Sequence, residues 1–217
     1  MTLPKAWIAL LMFAGFAGSQ ELPKDVYPDS GFRLPPVKRS DLNEQGKKLY
    51  DVATGPNSRS LEGLRGPFGI WLNSPELAQR ERELNQYLRY ESGLSGQVRE
   101  LAILVTAREM DSQFEWTAHE PAALKEGLEQ RVIDVVKYRK SAAGLSEQES
   151  TIVQLGREMF GRKKVGSDTF ARALKLFGAP GMVNLVTLMS SYSSTAAVLR
   201  TFDMQLPAGR KALWPTP

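Results

Sequence analysis

The sequence predicts an all-α fold in a single main domain. Three observations carry that expectation. Apolar residues recur at helical spacing over most of 41–210, helix-cap chemistry punctuates the chain, and no strand-type alternation bounded by turns occurs. With 217 residues, 42% of them hydrophobic and 24% charged, the chain can bury a full core without disulfides or metals.

The elements follow in order. Residues 1–19 read as a secretory signal peptide: Lys5 precedes an apolar run from Ala6 to Gly18, and Ala17 and Ser19 fit small-x-small cleavage before Gln20. That run is too short for a membrane span, which needs about 20 apolar residues. Residues 20–40 carry Pro23, Pro28, Pro35 and Pro36 and predict an extended arm outside the core. A first helix is expected from Asp41 to Val52, with Leu42, Leu49 and Val52 on one face. A glycine-bearing loop follows from Gly55 to Gly66, then a short helical stretch over Gly69 to Leu72. Ser74-Pro75-Glu76 is a helix start, with a cap, a proline at the first position and an acid in the first turn. That helix runs to about Tyr90 and stops at Gly93.

Ser95 opens another helix carrying Val98, Leu101, Ala102, Leu104 and Val105. A break at Asp111 and Ser112 leads into a helix to about Lys125, closed by Gly127. Val132 to Tyr138 continues the helical pattern. Ser146-Glu147-Gln148-Glu149 spells a capping box for a helix to Phe160. Asp168 to Phe177 is ended by Gly178, and Pro180 starts a long apolar helix to about Phe202.

Composition excludes whole classes of chemistry. There is no cysteine, so disulfides, thiolate nucleophiles, Cys-ligated zinc and iron–sulfur clusters are ruled out. His119 is the single histidine, so one chain cannot build an all-His or a two-His, one-carboxylate metal site. No metal and no cofactor is expected. The formal charge of +4 is small for the length. The group Arg157, Arg162, Lys163, Lys164, Arg172 and Lys175 reads as a solvated helix end and loop. It lacks the dense aromatic-interleaved stripe that nucleic-acid binding would need.

Chemistry concentrates between Arg99 and His119. Ser112, Glu115, Trp116 and His119 fall at i, i+3, i+4 and i+7 of one helix, which is one face. Histidine titrates near neutrality, which makes His119 the acid–base candidate. Glu100 would lie about 28 Å from it on one continuous helix, so a partnership requires a turn between them. A plainer reading stands beside this one. Ser112 and Glu115 also spell a capping box, Glu100 suits the helix dipole of a first turn, and Trp116 suits a core.

The run Gly93-Leu-Ser-Gly-Gln-Val-Arg-Glu100-Leu-Ala-Ile-Leu, followed by Glu115-Trp116-Thr-Ala-His119, resembles the core motif of the carboxymuconolactone decarboxylase family, which includes the AhpD-like alkylhydroperoxidases. Phe177-Gly-Ala-Pro-Gly-Met-Val-Asn184-Leu and Phe202-Asp203-Met-Gln-Leu-Pro207 are similar to its second helical part. The likeness spans about Leu61 to Pro207. It implies an AhpD-like helical bundle that forms homo-oligomers, trimers or hexamers.

In the peroxidase branch the redox cysteines stand at positions matching Ser112 and Glu115, so thiol peroxidase activity is not expected here. In the decarboxylase branch the Glu-Trp-x-x-His arrangement is kept, although Glu120 stands where a second histidine is common. The branch implies cofactor-free decarboxylation of a small anionic lactone. His119 would transfer the proton, Glu100 or Glu115 would orient it, Trp116 would wall the pocket with Ser112 near it, and Arg99 or Arg108 would meet the anion. The second reading is a non-catalytic or small-ligand-binding member of the same fold. The signal segment places the protein in the periplasm or outside the cell, with no membrane span after cleavage.

Overall fold

The computed structural model describes residues 22–58, 60–162, 164–207, 209–210 and 212–214. The segment read as a signal peptide, 1–19, lies outside them. Among the described residues eight α-helices and no named strand occur: α1 (Glu44–Thr54), α2 (Pro67–Trp71), α3 (Pro75–Gln86), α4 (Gly96–Glu109), α5 (Gln113–Lys125), α6 (Gln130–Lys137), α7 (Glu147–Gly156) and α8 (Ser167–Thr201).

Helix α4 is the axis of the fold. Val98 to Ala107 are all buried, so this helix is enclosed on every side rather than amphipathic. It packs against α5, α6, α7 and α8. Leu101, Ile103 and Leu104 meet Ile133, Ile152, Leu155, Leu185 and Leu188 in the main core. Local chemistry starts these helices where the sequence says. The Ser95 hydroxyl accepts from the Val98 N–H, and Ser146 and Glu149 form the reciprocal capping box expected of them. Gly93 and Gly127 take positive φ at the ends of their helices, the conformation in which glycine is least strained.

Two helices end in a widened π-turn, Tyr87–Glu91 after α3 and Arg157–Arg162 after α7. Helix α8 breaks inside its span: Gly178 has φ 64° and ψ 172°, followed by Pro180, so 167–177 and 179–201 are two helical pieces. By length and composition alone α8 could cross a membrane. In this fold it packs on α4 and α7, with Leu185, Leu188 and Met189 in the core.

The arm departs from the expectation that it lies outside the core. It is extended, but Phe32 is 1% exposed and packs with Ile70, Phe114 and Leu199 in a second cluster. A reversal between Tyr27 and Phe32 turns the ring inward. Backbone bonds then tie Arg33 to Phe202 and Gln205 to Gly31. Prolines keep this segment from forming a helix, but they do not keep a single phenylalanine out of a core.

Helices α4, α7 and α8 meet closely at Gly156. A Cβ there would run into Val105 and lie 2.8 Å from Met189 Cε. Gly156→Ala is expected to destabilise the fold by about 1–3 kcal/mol, read as a lower urea midpoint without loss of helical circular dichroism. An unchanged midpoint would mean the three helices have room to part.

Candidate functional site

The turn that the Glu100–His119 partnership requires is present. Helix α4 ends at Glu109, Asp111 takes a left-handed φ of 50°, and α5 begins at Gln113 running back along α4. Asp111 tolerates this conformation better than most residues, and Arg108 donates to its carboxylate. An antiparallel hairpin of this kind sets the second turn of α4, where Glu100 stands, beside the middle of α5, where His119 stands. His119 and Glu100 therefore meet.

Their geometry is tight. His119 Nδ1 lies 2.7 Å from Glu100 Oε2, and both residues are almost wholly buried. On the other side of the ring, Nε2 is 3.5 Å from Glu115 Oε2, one helical turn back. The imidazole also stands edge-on to the Tyr192 ring, at 5.1 Å and 85°. Ser112 is the N-cap of α5, but its side chain makes no capping bond. Glu115 faces His119 instead, so the capping-box reading of this pair is not realised.

The carboxylates differ. Burial opposes charge on Glu100, but the hydrogen bond and charge of His119, with Arg89 and Arg99, outweigh it and hold the carboxyl down to about 2. Ionised Glu100 thus accepts the Nδ1 proton, and Nε2 is the nitrogen turned toward Glu115. For Glu115 burial dominates; His119 and Arg89 oppose it only in part, and its carboxyl is raised. One carboxylate is kept ionised and the other is biased toward the acid, with an imidazole between them.

The ring faces a cavity of about 620 Å³. His119 and Glu115 line it, together with Arg89, Tyr192, Phe68 and Trp71. The other residues named from the sequence sit elsewhere. Trp116 is fully buried, packs edge-on against Trp214 at 5.2 Å, and does not line the cavity; its indole N–H has no partner among the described residues. Arg108 lies over the Trp214 ring and donates to the Lys137 carbonyl. Arg99 donates to Glu100, to the Arg89 carbonyl and to Glu126, bracing three segments without reaching the cavity.

Arg89 and Tyr192 were not singled out from the sequence. Arg89 sits in the π-turn, between Leu88 and Tyr90, where the sequence shows only the end of a helix. Tyr192 reads as one more member of an apolar helix. The signal that could have pointed to Arg89 is a cation flanked by Tyr87 and Tyr90 just before Gly93. Among the described residues no group of three or more His, Asp or Glu is placed to hold a metal ion.

Residues 75–156 match the model of the carboxymuconolactone decarboxylase family, a span that runs from the first residue of α3 to the last of α7. Comparison with curated proteins finds no match.

The opposed shifts give opposed pH dependences. Glu100 is lowered, so the stability it adds is present above the ordinary carboxyl value and is lost as pH falls through about 2. Glu100→Gln is expected to cost about 3 kcal/mol at pH 7, with the gap to wild type closing in acid. Glu115 is raised, so its contribution is present below the ordinary value and is lost as pH rises through the raised one. Glu115→Gln should therefore gain on wild type as pH rises. Urea melts across pH check both, and parallel curves for the two variants would refute the assignment.

Proposed function

We propose that this chain, whose segment 75–156 belongs to the carboxymuconolactone decarboxylase family, is a cofactor-free acid–base enzyme that decarboxylates a lactone or a similar small organic acid. One observation carries the reading: His119 is held between an ionised Glu100 and a protonation-biased Glu115 on the wall of a cavity.

Decarboxylation breaks the bond between a ring carbon and its carboxylate. The electron pair passes into the conjugated carbonyl, carbon dioxide leaves, and an enolate remains to be protonated at carbon. Glu115 and His119 share the proton that quenches it. Glu100 stays ionised, fixes the ring orientation and balances positive charge on the imidazole. No thiol takes part, because none exists.

The test is release of carbon dioxide from carboxymuconolactone and from a panel of larger lactone carboxylic acids. His119→Gln fills similar space and retains a donor toward Glu100. It should lower kcat by about 10²–10⁴ on whichever acid turns over. Full turnover by that variant would remove His119 from the mechanism, and no release from any acid by wild type would remove the decarboxylase reading.

Export is part of the same proposal, resting on the pattern of Lys5, Ala6 to Gly18 and Ser19. The exported protein is expected to begin near Gln20 on N-terminal sequencing. A full-length product kept inside the cell would overturn this.

A further inference from the structure

Proton transfer through His119 leaves Arg89 unused, although it is the most unusual charge in the cavity wall. Its side chain is only 10% exposed. Its Nε–H is buried and has no hydrogen-bond acceptor among the described residues, a costly state for a guanidinium unless something fills it. Glu100 does not satisfy it. One Glu100 oxygen takes Arg99 Nε at 3.0 Å and the other takes His119 at 2.7 Å, which leaves Arg89 Nη2 at 3.6 Å, beyond a hydrogen bond.

The π-turn explains how a cation comes to be there. The wider turn aims Arg89 at the cavity, and π-turns recur at functional sites for this reason. Arg99 grips the Arg89 carbonyl at 2.8 Å and fixes the turn. Tyr192 lines the same cavity from α8. Burial keeps its hydroxyl protonated, against the pull of the Arg89 charge. A fixed cation and a neutral phenol donor on one buried wall make a subsite for an anionic oxygen.

The cavity also indicates what the anion is attached to. About 620 Å³ falls in the range of pockets for drug-sized ligands, well above the need of one small ring. Phe68, Trp71 and Phe114 supply flat apolar wall. Phe68 and Trp71 come from α2, outside the family-matched segment, whereas Arg89, Glu100, Glu115 and His119 all lie inside it.

Resting on the acid–base reading of the site, we propose that Arg89 with Tyr192 anchors a carboxylate of the substrate, and that the substrate is an aromatic or fused-ring acid larger than a single-ring lactone. The anchored carboxylate is one that the reaction keeps. An ion pair stabilises a carboxylate against loss as carbon dioxide, so the departing group has to lie away from Arg89 and within reach of His119.

Calorimetric titration with 2-naphthoate, 2-naphthamide and benzoate separates charge from size. Wild type should bind 2-naphthoate at least tenfold tighter than either of the other two. Arg89→Gln should bring 2-naphthoate down to the affinity of the amide and leave the amide unchanged. Equal binding of acid and amide, equal binding of benzoate and 2-naphthoate, no binding of any probe, or an acid preference that survives in Arg89→Gln would each overturn the proposal. If Arg89→Gln binds neither naphthyl probe, Tyr192→Phe decides: a threefold or larger loss confined to the acid supports the pair, and no loss overturns it. His119→Gln should keep 2-naphthoate affinity within about twofold of wild type. The anchor is thereby tested by binding alone, and a failed decarboxylation assay would leave it standing.

Discussion

A carboxylate buried at the start of an enclosed apolar helix is the constraint around which this protein is arranged. Glu100 is 1% exposed, and the residues that follow it on α4 are apolar to Val105. An isolated charge in that position would cost many kcal/mol. It is tolerated because Arg99 and His119 each hold one of its oxygens and Arg89 adds a cation close by. Each of those partners belongs to a different part of the architecture. Arg99 lies on α4 itself, His119 reaches across from α5, and Arg89 comes from the π-turn after α3. Satisfying one buried charge therefore fixes the hairpin, the turn and the end of α3 at the same time.

That dependence explains why Arg99 and Arg108, both plausible anion binders by position, do other work. Arg99 is consumed by Glu100, the Arg89 carbonyl and Glu126, so it sets where Arg89 points. Arg108 stands at the far end of α4, where it donates to Asp111 at the hairpin turn and covers Trp214. Trp214 in turn covers Trp116, and Gln113 clamps the tail from both sides by bonding the Trp214 carbonyl and the Leu213 N–H. The indole expected to wall the pocket instead packs against Trp214 and holds α5 to the tail, while Glu115 and His119 line the cavity.

The fold was legible wherever a local rule decides the backbone. Ser95, Ser146 with Glu149, Gly93, Gly127 and the Gly178–Pro180 break all fall at helix boundaries or bends, because capping bonds and positive φ are short-range matters. The Glu100–His119 partnership was legible only as a condition, since 19 residues of separation demand a turn that sequence can permit but not place. Arg89 was hidden for a sharper reason. Helical periodicity assigns each side chain a direction, and a π-turn shifts that direction by adding a residue to the turn. Phe32 was hidden because proline content describes the backbone of an arm and says nothing of where one aromatic ring is buried.

The two halves of the site also act on one another. An anion seated against Arg89 would place a further negative charge in the cavity that Glu115 lines. The raised state of Glu115 comes from burial, opposed in part by His119 and by the same Arg89 cation. An anionic substrate would shield that cation and add repulsion of its own, and both effects favour the protonated acid. Displacing water from around the carboxyl acts in the same direction. Glu100 would feel the same field with less effect, because His119 and Arg99 already hold both of its oxygens. Substrate binding would therefore widen the difference between the two carboxylates on which proton transfer through His119 depends. The group that donates the proton would be most reliably charged with it when there is an enolate to receive it.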